Sequence, residues 1–302
     1  MSRHVAVLMG GWSAEREVSL ISGASVAEAL RDRDYRVTEV DVDRHVASRL
    51  DAIKPDVAFN ALHGRIGEDG AIQGVLEVLG LPYTHSGVLA SAMAMDKPTA
   101  KKVFERAGLR CTVGRVLTRD EFMSGHAPSP PYVVKPLNEG SSVGVRVVLP
   151  GDNEPPADED WRYGDRVLVE DYVPGREITV AVLGDRALGV TEIRSEHRFF
   201  DYGAKYKKGE AVHILPAPLS NSKYAEALDM ALAAHESLGC RGLSRADFRY
   251  DDREGDGDLY LMEVNTQPGL TPVSLAPEIA AHAGISFADL VEWLIDDAGC
   301  GR

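Results

Sequence analysis

Two acids and an amide late in the chain, Asp247, Glu263 and Asn265, lie on segments whose spacing can bring them together. Leu243 to Tyr250 and Leu259 to Asn265 read as strands around a turn, Asp251 to Asp258, rich in glycine and acids, which is a hairpin signal. Side chains alternate faces along a strand, so Arg245 and Asp247 share a face, and Glu263 and Asn265 share one with Leu259 and Leu261. In an even register the two faces coincide and two carboxylates meet an amide oxygen. Such a set suits a hard cation such as Mg²⁺, above all where substrate phosphates complete its octahedron. Acids on a solvated sheet face would show the same alternation. Against that, Glu263 interrupts the apolar run Leu259-Tyr-Leu-Met, a local inconsistency of the kind functional sites impose.

Phosphate also needs donors. Glu139-Gly-Ser-Ser-Val-Gly144 offers backbone N–H groups without bulky side chains, as glycine-rich loops over nucleotides do. A hairpin tip has the same composition. Lys135 tips the reading toward phosphate, because it ends the apolar strand Pro131 to Lys135, where an ammonium is costly without an anionic partner. Neither a Walker A loop nor a Gly-x-Gly-x-x-Gly fingerprint is present, which argues against a P-loop nucleotidase and a nicotinamide oxidoreductase.

These residues need a scaffold to hold them. His4 to Met9 reads as a buried strand, Gly10-Gly11 as a turn and Ser13 to Leu30 as a helix, a βα unit that strand signals at Tyr35 to Val42 and Asp56 to Leu62 continue. A small parallel α/β domain over residues 1–85 follows, with Gly10 to Glu15 and His63 to Asp69 at the carboxyl ends of its strands, where such domains bind ligands. Asp96-Lys97-Pro98 marks a helix start and Gly108 its stop. Strands are expected at Val145 to Leu149, Val167 to Tyr172 and Ile178 to Leu183, and helices at Ser220 to Leu238 and after Ser286. The acidic stretch Pro150 to Asp165 reads as a solvated connector. Ser195 to Ala211 is polar with four aromatics and no period, which marks a lid or a disordered loop. His235, on the apolar stripe of its helix, reads as a core-edge histidine.

The whole chain has 302 residues and a net charge of −14, from 33 basic and 47 acidic side chains. Its length suits about two ordinary domains, and its field disfavours nucleic acid or an anionic membrane as partner, so an anionic substrate must be met by a few gathered cations. Three cysteines without metal-ligand spacing, Cys111, Cys240 and Cys300, fit free thiols in a reducing compartment, and no secretory h-region or membrane-length apolar run occurs. A cytoplasmic protein is expected.

Taken in order, several pieces resemble the D-alanine:D-alanine ligases of the ATP-grasp superfamily: Gly10-Gly-Trp-Ser-Ala-Glu-Arg-Glu-Val-Ser19, Leu62-His-Gly-Arg-Ile-Gly-Glu-Asp-Gly70, Met95-Asp-Lys97, Val134-Lys-Pro136, Glu139 to Gly144, Asp201-Tyr-Gly-Ala-Lys-Tyr206, Arg245-Ala-Asp247 and Met262-Glu-Val-Asn-Thr-Gln-Pro-Gly269. The resemblance implies an α/β fold: a Rossmann-like pre-ATP-grasp domain over residues 1–85, then two α+β ATP-grasp lobes over 86–175 and 176–302. It implies ATP and two Mg²⁺ (or Mn²⁺) as cofactors, two D-alanines as substrates, no nucleic-acid or membrane partner, and a homodimer.

Residue by residue, the resemblance puts Lys97, Lys135, Ser141, Ser142 and Lys205 at the nucleotide phosphates, Glu170 at the adenine amino group and Glu177 at the ribose. Asp247, Glu263 and Asn265 hold the metals. Glu15, supported by His63, anchors the first D-alanine, while Gly269, Ser274 and Leu275 receive the second. Arg245 stabilises charge on the attacked carboxyl, and Tyr206 closes on Ser141 and Glu15. The implied reaction forms an acyl phosphate from ATP and the first D-alanine, and the amine of the second attacks it. Other ATP-grasp carboxylate-amine ligases, including relatives that form D-alanyl-D-lactate or use D-serine, share much of this pattern. Val273 stands where some relatives place a histidine, and Trp12 has no account beyond packing at a cleft edge.

Overall fold

Strand β1 (His4–Met9) is buried along its whole length and pairs in parallel with β2 (Arg36–Asp41) and β3 (Val57–Asn60), in the order β2-β1-β3. Helices α1 (Arg16–Arg31), α2 (Val46–Ile53) and α3 (Ala71–Leu79) connect and follow them. This is the parallel α/β unit expected at the amino end, and its strand ends deliver Glu15 and the 63–69 loop to one edge. The computed structural model describes residues 2–140, 144–151, 161, 164–195 and 211–301.

Helices α4 (Val88–Met95) and α5 (Lys97–Arg106) follow, and Asp96 caps α5 by accepting from the Thr99 N–H at 3.0 Å. A four-stranded antiparallel sheet comes next, built from β4 (Gly114–Thr118), β5 (Tyr132–Pro136), β6 (Arg146–Val148) and β7 (Arg166–Asp171) in the order β4-β7-β5-β6. A short helix, α6 (Arg119–Glu121), runs into a wide turn, and Trp161 closes the small core beneath by packing edge-on against Phe122, 5.9 Å between centroids.

The third sheet has five strands, β8 (Arg176–Leu183), β9 (Arg186–Ser195), β10 (Ala211–Ile214), β11 (Leu243–Asp251) and β12 (Asp258–Asn265), ordered β10-β9-β8-β11-β12. Helix α7 (Asn221–Leu238) covers one face with Ala227, Ala231, Ala234 and Leu238, so small alanines let it approach while the larger Leu228 and Leu232 are only partly buried. Helices α8 (Leu275–His282) and α9 (Phe287–Asp297) join the core shared with β1 and α1. Helices α4 and α5, placed by the 86–175 boundary with the central lobe, contribute Ala90, Ala100 and Phe104 to the core under the five-stranded sheet.

Strand β9 carries no alternating signal because its pairing with β8 steps from Ala181↔Gly189 to Val182↔Ala187, a bulge that leaves Leu188 as an extra residue, so Val190 packs into the core under α7 and Leu188 against the core that holds α8. Among the described residues no helix is long and apolar enough to cross a membrane, and all three cysteines are unbridged.

Candidate functional site

The hairpin of β11 and β12 supplies the centre of the site. Arg245 lies opposite Asn265 and Asp247 opposite Glu263, so the four groups expected on one face are in direct register. Strict alternation fails at one point. The pairing steps from Asp247↔Glu263 to Phe248↔Leu261 and leaves Met262 as an extra residue, a β-bulge. Leu259 and Leu261 therefore point into the core beside Phe248 and Tyr250, away from Glu263 and Asn265, contrary to the expected shared face. The bulge resolves the conflict of an acid in an apolar strand: the strand buries its leucines and then turns its polar end to the other side.

On that face the Arg245 guanidinium donates from Nε to Asp247 Oδ1 at 2.8 Å and from Nη2 to Oδ2 at 2.7 Å. Thr179 on β8 and the Asn265 amide also donate to Asp247, at 2.6 and 3.0 Å. Lys97, at the start of α5, places its Nζ 3.8 Å from Glu263 Oε2 and donates to the Glu139 carbonyl at 2.5 Å. Burial holds the Glu139 carboxyl above the ordinary carboxylate range, against the pull of Arg65 and Lys97. An open cleft is lined by these groups together with Glu15, His63, Lys135, Glu177 and Ser274. Among the described residues no three His, Cys, Asp or Glu side chains converge as a metal cluster, so a cation here depends on the amide oxygen beside two carboxylates. That all-oxygen set fits Mg²⁺ or Mn²⁺.

Lys135 and Glu170 come from adjacent strands, β5 and β7. The Glu170 carboxylate does not reach the cleft. It is 1 % exposed and is ion-paired on one oxygen with Lys135 and on the other with Lys101, while Thr112 donates to it at 2.9 Å. Burial alone would raise its pKa, but Lys135 and Lys101 pull harder the other way, down to about 2. Glu177 on β8 accepts from Arg249 at 3.1 Å, and the same guanidinium donates to the carbonyls of Val173 and Gly175 in the connection between β7 and β8.

The amino-terminal unit forms the third wall. Glu15 is buried at the start of α1, and two glycines make room for it: a Cβ at Gly64 would lie 2.5 Å from Glu15 Oε2, and one at Gly140 would lie 3.1 Å away. His63 is held from both ring nitrogens, by Ser22 at 3.0 Å and Glu68 at 3.3 Å. Ser22 accepts from the Leu270 N–H at 3.2 Å and so links this wall to the carboxyl-terminal one. Ser274 precedes α8 and accepts from the Thr271 N–H at 3.0 Å. A side chain at Gly269 would collide with it, its Cβ 2.8 Å from Ser274 Oγ. Leu275 opens α8, and Val273 beside it is half exposed to the cleft. Trp12 stacks under the Arg44 guanidinium, 5.5 Å from its centroid.

Twelve of the expected site residues, Glu15, His63, Lys97, Lys135, Glu177, Arg245, Asp247, Glu263, Asn265, Gly269, Ser274 and Leu275, line this single cleft. Ser141, Ser142, Lys205, Tyr206 and the expected lid between its ends Ser195 and Ala211 lie outside the described residues. Sequence reasoning missed Lys101, Asn60, Gln267 and Arg249. Asn60 and Gln267 bond each other at 2.7 Å and hold the carbonyls of Gly67 and Leu62, which shapes the His63 loop. Arg249 had a readable signal, since it shares the parity of Arg245 and Asp247.

Two family models match, D-ala D-ala ligase N-terminus over residues 46–86 and D-ala D-ala ligase C-terminus over 119–296. The chain is 57 % identical to a D-alanine--D-alanine ligase of Parvibaculum lavamentivorans, covering 100 % of this chain and 99 % of the relative, and 58 % identical to one of Methylocella silvestris, covering 100 % of both. Among solved structures it is similar to a D-alanine--D-alanine ligase of Bacillus anthracis complexed with ATP, at 30 % identity and TM-score 0.82 over 98 % of this chain and 97 % of that one. It is also similar to the VanG D-Ala:D-Ser ligase of Enterococcus faecalis, at 27 % identity and TM-score 0.80 over 98 % and 99 %.

Proposed function

The chain belongs to the D-alanine–D-alanine ligase family, and from that premise we propose how its cleft performs the reaction. The activity is the ATP-dependent joining of two D-alanines into D-alanyl-D-alanine. A carboxylate is a poor electrophile, so the first D-alanine must be activated before an amine can attack it. Lys97 and Lys135 take the nucleotide phosphates, and Glu177 takes the ribose. Asp247, Glu263 and Asn265 would hold Mg²⁺ or Mn²⁺, which would neutralise phosphate charge. Glu15, backed by His63, receives the ammonium of the first D-alanine. The N–H groups at the start of α8, with Ser274, receive the carboxylate of the second.

Transfer of the γ-phosphoryl to the first D-alanine gives an acyl phosphate, and the amine of the second attacks its carbonyl. Arg245, fixed at two points by Asp247, meets the oxyanion that forms. Ser141, Ser142 and Lys205 are assigned to the nucleotide phosphates, and Lys205 with Tyr206 to covering this intermediate against water. For Glu170, the buried carboxylate supports holding Lys135 rather than meeting the adenine amino group. The unbridged thiols support a reducing, cytoplasmic setting, and Val78, Leu79, Val88 and Leu89, exposed on α3 and α4, support a homodimer. Sedimentation at the monomer mass would remove the dimer.

The single observation behind this reading is the in-register face of Arg245, Asp247, Glu263 and Asn265 opposite Lys97. Incubation with ATP, Mg²⁺ and D-alanine is expected to give the dipeptide, ADP and phosphate, with D-lactate and D-serine far poorer acceptors. ADP release that does not depend on D-alanine would refute it.

A further inference from the structure

Lys101 has no place in the reaction as described, yet it is one of the most constrained cations in the molecule. Its side chain is 8 % exposed, lies behind the cleft wall and contacts the Thr112 carbonyl, the Thr112 hydroxyl and one oxygen of Glu170. Lys135 holds the other oxygen of the same carboxylate and, unlike Lys101, lines the cleft. A buried carboxylate that loses its last cation is strongly disfavoured, whereas one that keeps a counter-ion is tolerated. With two ammonium groups on Glu170, one can leave without stranding the acid.

We propose that Lys101 is a positioning residue for nucleotide binding: it remains with Glu170 as a permanent counter-ion and so frees the Lys135 ammonium to engage phosphate. This rests on the reading of Lys135 as a phosphate contact. Thr112 strengthens the assignment, because its carbonyl and hydroxyl hold Lys101 in place while its hydroxyl donates to Glu170 at 2.9 Å. Lys135 has no such second anchor among its ion pairs with described residues beyond Glu170, and its position on β5 faces the cleft. The low pKa of Glu170 accords with a carboxylate that stays charged throughout.

The test is equilibrium ATP binding, in the presence of Mg²⁺, by titration calorimetry. Lys101→Met is expected to weaken ATP at least tenfold and to raise KM for ATP with kcat changed less than threefold, because the remaining lysine is then bound to serve the acid. The double variant Lys101→Met/Glu170→Gln, which removes the acid together with its permanent partner, is expected to bind ATP within about threefold of the wild type. A structural role for Lys101 alone would make the double variant as weak as the single one or weaker, and that result overturns the proposal, as does wild-type affinity in Lys101→Met. If Lys101→Met does not fold, the double variant decides: folded with near-wild-type affinity supports the proposal, and unfolded or tenfold weakened overturns it. A Lys135→Met variant separates the premise, since ATP binding unchanged there would remove the phosphate role of Lys135 and the inference with it.

Discussion

Two clusters in this molecule set carboxylates against cations on neighbouring antiparallel strands, and they differ in how closed they are. Glu170 with Lys101 and Lys135 is sealed, the acid 1 % exposed and the lysines 8 % and 11 %. Asp247 and Glu263 remain 22 % and 29 % exposed at the cleft, beside Arg245 and Lys97. In the sealed cluster the penalty for removing Glu170 from water is met only while the acid keeps at least one ammonium, so that pairing is a condition of folding. The open cluster keeps water access, and its groups can change partners when a substrate arrives. The contrast teaches that ion pairing alone does not mark a catalytic group in this chain; pairing at the cleft wall does.

The largest effect that could break this contrast is expected at the sealed cluster. Glu170→Leu leaves two buried ammonium groups facing each other without their acid and should cost about 3–5 kcal/mol in urea unfolding. A loss below about 1 kcal/mol would place the cluster with ordinary surface pairs. At the open cluster the expectation reverses. Arg245→Ala and Glu263→Gln should each lower turnover at least about a hundredfold, equivalent to about 3 kcal/mol of transition-state stabilisation, with unfolding free energy nearly unchanged. Variants that lose stability in proportion to activity would erase the distinction between the two regions.

Much of this arrangement was legible beforehand. The βα start, the Asp96 cap, the late hairpin and the final helix follow from local rules that tertiary packing did not override. Arg245, Asp247, Glu263 and Asn265 could be put on one face because strand parity is strict on either side of a bulge. The bulge at Met262 was not legible, since one extra residue has no composition of its own, and it alone decides where Leu259 and Leu261 go. Strand β9 was hidden in the same way: a bulge at Leu188 sets Leu188 and Val190 on opposite faces and breaks the alternation. Lys101 escaped because a lysine four residues after another on a helix reads as a solvated stripe, and only the fold sets Glu170 beside it.

A smaller effect sharpens the open side of the comparison. Gly64 has φ +69°, and a Cβ there would sit 2.5 Å from Glu15 Oε2, so Gly64→Ala meets both backbone strain and a displaced carboxylate. The expected cost is about 1–2 kcal/mol of stability. It should come with a several-fold rise in KM for D-alanine while KM for ATP holds. Equal changes in both constants would detach Glu15 from the amino-acid side of the cleft.

The smallest expected effect concerns a titratable group in neither cluster, and it separates their pH windows. His235 on α7 is 3 % exposed, its Nδ1 2.7 Å from Ser244 Oγ. Burial pushes its pKa from 6.5 down to about 4, against the opposing pull of the Cys240 backbone bond and of Asp297. Between those values the unfolded chain takes up a proton that the folded chain refuses, so the stabilisation is full above pH 6.5 and falls as pH drops toward 4. By pH 5 the loss is about 1–2 kcal/mol. Glu170 moves in a lower window, because its folded pKa of about 2 lies below the ordinary 4.5, and its contribution is lost only as pH falls from about 4.5 to about 2. Urea unfolding at pH 7 and pH 5 distinguishes the two. His235→Gln should remove most of the loss between those values, and an undiminished loss in that variant would mean that another group titrates there and that the buried histidine is not the source.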